Sequence, residues 1–150
     1  MRSILWAVIP TVERVRVRYG ETDMMGHAYY ANYLYWFEQA RGAWCRARGY
    51  SYIALEEMGY RLPAVEAHLE YKREALYDDV LSVKVWISEI KRASMRFDYE
   101  VINERTGQLA TTGYTWHVLM SGETRKAVSI PPDVKEMLER EPVSESERQE

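Results

Sequence analysis

The sequence predicts an α+β domain in which one long helix packs against an antiparallel sheet of about five strands. Three observations carry this prediction: an alternating segment at 12–19, an apolar helical pattern near 33–48, and period-two alternation after Pro63. The 150 residues suit one domain, and 47% hydrophobic residues supply an ample core. We predict a single domain over 1–140 and a polar, disordered tail over 141–150.

The first strand is predicted from the segment "VERVRVRY". Val15, Val17 and Tyr19 face one side, and three arginines alternate with them on the other, as in a half-buried strand. The preceding run "MRSILWAVIP" is expected to lead into this strand. It is too short to span a membrane, so no membrane span is expected.

The long helix is predicted from apolar side chains that recur at three- and four-residue spacing. They are Tyr33, Trp36, Phe37, Ala40, Ala43, Trp44 and Ala47. Glu38 and Arg41 are spaced for an i,i+3 ion pair on the polar side. Gly49 is placed to end the helix, and a short helical turn is predicted in "SYIALEEMG".

The second half of the chain is predicted to form a meander of four antiparallel strands and a final helix. Alternating stripes begin near Val65, Leu81 and Met95, and the last long strand is "QLATTGYTWHVLM". Turns are expected at "LYDD" and "NERTG", and the helix at "PPDVKEMLER" has Asp133 near its start. One sheet over one helix leaves an edge uncovered, so self-association is expected.

Composition excludes several classes of function. A formal net charge of −3 argues against nucleic acid as a partner. The single cysteine, Cys45, excludes an internal disulfide and fits a reducing, cytoplasmic compartment. Cys45 falls within the helical stripe, which predicts a packing role. Five Trp and twelve Tyr are many for this length and suggest an interface or a ligand cleft.

The loop "GETDMMGHAYY" carries the best candidate for chemistry. Asp23 follows a strand and precedes a helix N-terminus, whose unpaired N–H groups suit a developing oxyanion. A carboxylate in that place can act as a nucleophile or a base on a polarised carbonyl. The alternative is that Asp23 caps the loop or the helix, and its spacing leaves both interpretations open.

The three histidines do not predict a metal centre. His27 and Asp23 at i,i+4 are only two ligands, so His27 is expected to tune the loop or to hydrogen-bond a substrate. His68 lies on the polar face of a strand and is predicted to be solvated, whereas His117 is predicted to be a satisfied structural histidine. Lys91 and Arg92 in one hairpin, with a basic pair in a later turn, suit a phosphorylated ligand if the loops converge.

The stretch "YGETDMMGHAYYANYLYWFEQAR" resembles the signature of the hot-dog-fold thioesterases, in particular the 4-hydroxybenzoyl-CoA thioesterase-like family. The matches are the acid of "ETD", Gly26, the "YANY" segment and the aromatic helix; "YDDVLSVKVWI" and "KRASMRFDYEV" add weaker ones over residues 12–132. The resemblance implies a hot-dog fold, a homodimer or homotetramer with its active site between subunits, an acyl-CoA substrate, and no cofactor or metal.

The resemblance also implies roles for individual residues. Asp23 corresponds to the catalytic acid, and the backbone N–H of Tyr30 to the group that polarises the thioester carbonyl. The residues that correspond to the coenzyme A contacts are Lys91, Arg92, Ser94 and Lys126. One basic position of the family is Ala93 here, which removes part of that contact.

Acyl-CoA thioester hydrolysis is the leading functional hypothesis, with Asp23 acting as nucleophile or base. One alternative is an acyl-thioester dehydratase, which would need His27 or His117. The other is a non-catalytic binder of acyl-CoA or of an acyl carrier. The candidate acyl-pocket residues are Met24, Met25, Tyr29 and Trp36.

Overall fold

The computed structural model describes residues 8–143, so most of the predicted N-terminal run (1–7) and of the predicted tail (144–150) lies outside the described residues. The elements in chain order are β1 (Thr11–Arg16), α1 (Asn32–Ala47), α2 (Tyr52–Glu57), β2 (Tyr60–Arg61), β3 (Ala64–Tyr71), β4 (Val80–Ile90), β5 (Ser94–Asn103), β6 (Gln108–Val118), β7 (Met120–Ser121) and α3 (Pro132–Glu139). All three predicted helices are present, and Gly49 takes the positive φ of 87° that ends α1.

Five strands form one antiparallel sheet in the order β1-β4-β5-β6-β3, which confirms the predicted fold class. The predicted four-strand meander was wrong, because β3 pairs with β6 at the far edge and not with β4. The "LYDD" segment is therefore part of a crossing connection. The segment still forms the predicted turn, since the Asp79 N–H donates to the Leu76 carbonyl at 3.1 Å. The connection also bonds to the first part of the chain: the Ala28 N–H donates to the Ala75 carbonyl at 2.8 Å, and the Val17 N–H to the Asp79 carbonyl at 2.9 Å.

The first strand is shorter than predicted. Val15 and Val17 are buried, but Tyr19 is 78% exposed because the chain leaves the sheet after Arg16. Residues Tyr19–Glu21 then form a single 3₁₀ turn. This turn ends the alternation and directs the chain toward the loop that carries Asp23.

The predicted aromatic face of α1 is buried against the sheet, apart from the half-buried Ala43. The Phe37 ring stacks on Tyr99 of β5 with centroids 3.9 Å apart, and Trp44 meets Phe97 edge-on at 6.0 Å. Each fully buried aromatic side chain contributes roughly 2–3 kcal/mol of transfer free energy. This packing determines where the helix lies on the sheet.

The predicted Glu38–Arg41 ion pair is absent from the described residues. Arg41 lies one turn from Phe37 on the same side of the helix, so its guanidinium enters the core. It donates to the Tyr52 hydroxyl at 3.2 Å and to the Tyr99 hydroxyl at 3.0 Å. The apolar side of the helix thus also carries a half-buried cation, whose partners are neutral phenols.

Arg41 begins a buried hydrogen-bond chain that ends at His117. The Tyr99 hydroxyl lies 2.7 Å from Thr115 Oγ1, which lies 2.9 Å from His117 Nε2. His117 Nδ1 donates to Leu62 C=O at 3.1 Å, because a carbonyl can only accept. Burial, with the Arg41 charge as a second cause, lowers the pKa of His117 to about 4. His117 is a satisfied structural histidine, as predicted.

We expect Gly113→Ala to destabilise the fold, because a Cβ at Gly113 in β6 would lie 2.7 Å from the His68 carbonyl oxygen and 2.8 Å from the Phe37 ring. Overpacking of this kind costs about 1–3 kcal/mol in the free energy of unfolding, measurable by urea titration. Gly20→Ala is the matched control, since beyond its two chain neighbours no heavy atom of residues 8–143 lies within 4 Å of its added Cβ. Equal effects of the two substitutions would contradict the close packing of α1 on β6.

We expect His117 to make stability depend on pH. Its pKa is about 4 in the folded chain against the ordinary 6.5, so the unfolded chain binds the proton first as the pH falls. The free energy of unfolding should therefore fall by up to about 3 kcal/mol between about pH 6.5 and pH 4. Urea titrations at several pH values give the slope of the unfolding free energy against pH. In His117→Gln this slope should be smaller than in the wild type by the contribution of one proton. An unchanged slope would contradict this assignment.

Candidate active site

A cavity of about 350 Å³ lies between the loop before α1 and the segment that follows β3. Its lining residues are Asp23, Met25, His27, Ala28, Tyr30, Tyr33, Tyr71, Lys72, Arg73, Glu74 and Ala75. Both predicted catalytic residues, Asp23 and Tyr30, line it. The crossing connection that sequence reasoning missed supplies the opposite wall.

Only one oxygen of the Asp23 side chain accepts a hydrogen bond from its own loop. Oδ1 accepts the Met25 N–H at 2.9 Å, and the Asp23 carbonyl accepts the Gly26 N–H at 3.0 Å, where Gly26 has a φ of 84°. Within residues 8–143, Oδ2 accepts no hydrogen bond, and His27 Nδ1 lies 3.9 Å from it. Asp23 therefore caps the loop and not the helix, and it keeps one carboxylate oxygen available.

Tyr30 precedes a helix N-terminus that no side chain of the described residues caps. Helix α1 begins at Asn32, and its N-cap residue, Ala31, makes no side-chain capping bond. No acceptor within the described range bonds the Tyr30 N–H, while the Tyr30 carbonyl accepts the Tyr71 hydroxyl at 2.8 Å. An unbonded amide at a helix N-terminus suits a developing oxyanion.

The cavity lining matches the candidate acyl-pocket residues in part. Among the four candidates only Met25 lines the cavity; Met24 is fully exposed, and Trp36 is 1% exposed in the core. Tyr33 and Tyr71 line it instead, with ring centroids 5.5 Å apart. Tyr33 belongs to the helical stripe and Tyr71 ends an edge strand, so neither position carried a local signal for a pocket.

Two histidines and the cysteine stand apart from this chemistry. His68 stacks on Tyr114 of the outer sheet surface at 5.1 Å, and His117 does not line the cavity. Burial raises the pKa of Cys45 to about 11, so its thiol is protonated at neutral pH, in keeping with a packing role.

Among residues 8–143, no group of three or more potential metal ligands exists, and no helix is long and apolar enough to cross a membrane.

The two predicted basic loops lie side by side. The Ile130 N–H donates to the Arg92 carbonyl at 2.8 Å, and the Leu119 N–H to the Ala93 carbonyl at 2.9 Å. The Ser121 N–H donates to the Lys126 carbonyl at 2.9 Å. The residues predicted to hold coenzyme A thus share one neighbourhood, which the sequence by itself did not show.

This basic neighbourhood is far from the cavity within one chain. The crossing connection, which bonds to the loop that carries Asp23, leads directly into Val80 at the start of β4. Lys91 follows Ile90, the residue at the other end of β4. The 11 residues of β4 span ~35 Å. A single chain therefore brings Asp23 and Tyr30 together but does not bring them to Lys91, Arg92, Ser94 and Lys126.

Comparisons with known proteins agree with the fold and the family. Residues 17–138 match the family described as the thioesterase-like superfamily. A candidate esterase of Aquifex aeolicus is 35% identical over 130 residues, covering 87% of this chain and 98% of the relative. A candidate acyl-CoA thioesterase of Bacillus subtilis, YneP, is 31% identical over 118 residues, covering 79% of this chain and 85% of the relative.

The crystal structure of a DHNA-CoA thioesterase from Staphylococcus aureus superimposes with a TM-score of 0.80 at 34% identity, covering 85% of this chain and 87% of that one. The predicted hot-dog fold and the predicted enzyme class, a thioester hydrolase, are thereby confirmed. The chain belongs to the thioesterase-like superfamily.

Proposed function

We propose that this protein hydrolyses acyl-CoA thioesters to a free acid and CoA in the cavity shared by Asp23 and Tyr30. One observation carries the proposal: a carboxylate oxygen and a backbone N–H, neither of which has a hydrogen-bond partner among residues 8–143, belong to residues that line the same cavity. The similarity to YneP and to the S. aureus DHNA-CoA thioesterase supports a coenzyme A thioester as the substrate.

The nucleophilic route uses both groups on one carbonyl. Asp23 Oδ2 attacks the thioester carbon, and the oxyanion of the tetrahedral intermediate accepts the Tyr30 N–H. The C–S bond breaks, CoA leaves as a thiolate and takes a proton from water, and a mixed anhydride remains on Asp23. Water then hydrolyses the anhydride, which releases the acid and restores the carboxylate.

The general-base route uses the same residues with a different first step. Asp23 takes a proton from water as the water oxygen attacks the thioester carbon, and the Tyr30 N–H stabilises the oxyanion of the tetrahedral intermediate. The C–S bond then breaks, the departing CoA thiolate takes the proton from Asp23, and the free acid is released. Aspartate is a weak base for this step, because an efficient base titrates near the working pH. This favours the nucleophilic route, although both routes require Asp23.

We propose further that the active enzyme is a homodimer or homotetramer joined at β3. This strand is an edge of the sheet, and nearly all its residues are exposed, including Val65 at 60% and Tyr71 at 49%. The cavity wall follows β3 directly, so pairing of two β3 strands brings the cavity to the subunit interface. Lys91, Arg92, Ser94 and Lys126 of one subunit then hold the CoA phosphates of a substrate bound at its partner's Asp23.

The cysteine content supports a proposal about the compartment. The single cysteine is buried and unpaired, which suits a reducing environment. We therefore propose that the protein acts in the cytoplasm, with acyl-CoA as its partner and without nucleic acid.

Asp23→Asn should lower kcat for acyl-CoA hydrolysis by at least about 100-fold, because it removes the charged oxygen required by both routes. The asparagine carbonyl can still accept the Met25 N–H, so the loop and the fold should persist. Thiol release from short, long and aromatic acyl-CoAs measures the effect and identifies the preferred acyl class. Asp78→Asn, an exposed acid outside the cavity, is the matched control.

Three outcomes would contradict the proposal. Hydrolysis that survives in Asp23→Asn would exclude the carboxylate mechanism. Binding of acyl-CoA without cleavage by the wild type would support a non-catalytic binder. Loss of water from a hydroxyacyl thioester, abolished by His27→Ala, would support a dehydratase.

Mixed oligomers test whether the two groups come from different subunits. Asp23→Asn and the double variant Arg92→Ala/Lys126→Ala should each hydrolyse acyl-CoA poorly as pure proteins. Subunits exchanged between them form hybrids in which one site has both an intact acid and intact basic side chains. We expect activity to return on mixing, towards half of the wild-type rate for a hybrid dimer. No recovery, or a monomeric wild type in sedimentation, would contradict the shared site.

A further inference from the structure

Glu21 makes an unusual set of contacts at the base of the active-site loop. It ends the 3₁₀ turn after β1 and lies two residues before Asp23. It does not line the cavity, yet both its main-chain carbonyl and its carboxylate bond to segments that carry the proposed catalytic groups.

The Glu21 carbonyl joins the start of the loop to its end. It accepts the Tyr29 N–H at 2.8 Å and the Asn32 side-chain amide at 2.8 Å. The first bond adjoins the peptide that carries the Tyr30 N–H, and the second comes from the first residue of α1. A pairing of Thr22 with Ala28 closes the loop next to these bonds.

The Glu21 carboxylate joins the same turn to the buried face of α1. Oε2 accepts the Trp36 indole N–H at 3.2 Å, and Oε1 accepts the Arg18 backbone N–H at 2.8 Å. The side chain is only 12% exposed. Burial alone would raise the pKa of Glu21, but bonds from Arg18 and Trp36 outweigh it, and the pKa lies below its ordinary value.

We propose that Glu21 is a positioning residue that sets the distance between the Asp23 carboxylate and the Tyr30 N–H. Glu21 lies two residues before Asp23 in the chain, and its carbonyl accepts a hydrogen bond from Tyr29, the residue before Tyr30. Its bond to Trp36, which is buried in the core, ties this geometry to the axis of α1. The inference rests on the proposed hydrolase function.

The chain offers a matched pair of tryptophans on α1 to test this proposal. Trp36 and Trp44 are 1% and 0% exposed, but the Trp44 indole N–H has no hydrogen-bond partner within the described residues. Trp36→Phe removes the bond to Glu21 and keeps an aromatic ring, whereas Trp44→Phe removes a buried indole that does not contact the loop. Both variants are compared with the wild type in kcat, KM and thermal midpoint.

We expect Trp36→Phe to lower kcat on the order of 10-fold with KM nearly unchanged, because misplacement of catalytic groups weakens the transition state more than the ground state. Trp44→Phe should lose thermal stability and keep the wild-type kcat. Asn32→Ala, which removes one bond to the Glu21 carbonyl at a half-buried site, should lower kcat in the same way if Trp36→Phe fails to fold.

The possible outcomes separate the two proposals. A wild type that cleaves acyl-CoA, with folded Trp36→Phe or Asn32→Ala variants of unchanged kcat, would overturn the positioning role alone. Equal losses of kcat in Trp36→Phe and Trp44→Phe would also overturn it, because general loosening of the core would explain them. A wild type that cleaves no acyl-CoA would overturn the hydrolase function and the positioning role with it.

Discussion

Burial of the aromatic face of α1 against the sheet is the constraint on which the rest of this structure depends. The Phe37–Tyr99 stack holds the middle of the helix, and Gly113 provides the space in β6 for the Phe37 ring. A helix held along its length has little freedom at its N-terminus. The backbone at Tyr30 therefore takes a defined position, although no side chain in the described part of the chain caps the start of α1.

The acid acquires its position from a second constraint, the closure of the loop between β1 and α1. This loop bonds to itself through Asp23 and Gly26, and to the crossing connection through Ala28. The connection is present because β3 pairs with β6, so the chain must pass the end of the sheet to reach β4. Sheet topology thus creates the cavity, and the loop places the carboxylate within it.

The distance between the cavity and the basic loops has a structural consequence for the proposed enzyme. A strand of 11 residues separates the two groups, and the residues beside the cavity follow an exposed edge strand. An isologous pair of subunits is a way to unite groups that one chain holds apart, since each copy contributes a different half of two identical sites. The proposed dimer therefore covers the edge and completes the site with the same contact.

The sequence by itself determined the element types, the buried face of α1 and the five strands of the main sheet. Through the family resemblance it also predicted the acid and the amide of the candidate site. These features follow from local periodicity and from a contiguous motif, which no distant contact needs to supply. Only the tertiary structure decided the pairing of β3 with β6, the outward turn of Tyr19, the inward hydrogen bonds of Arg41, the presence of Tyr33 and Tyr71 in the cavity lining, and the convergence of the basic loops. Each of these depends on residues far apart along the chain, whose contacts arise from the packing of helix on sheet and leave no periodic trace.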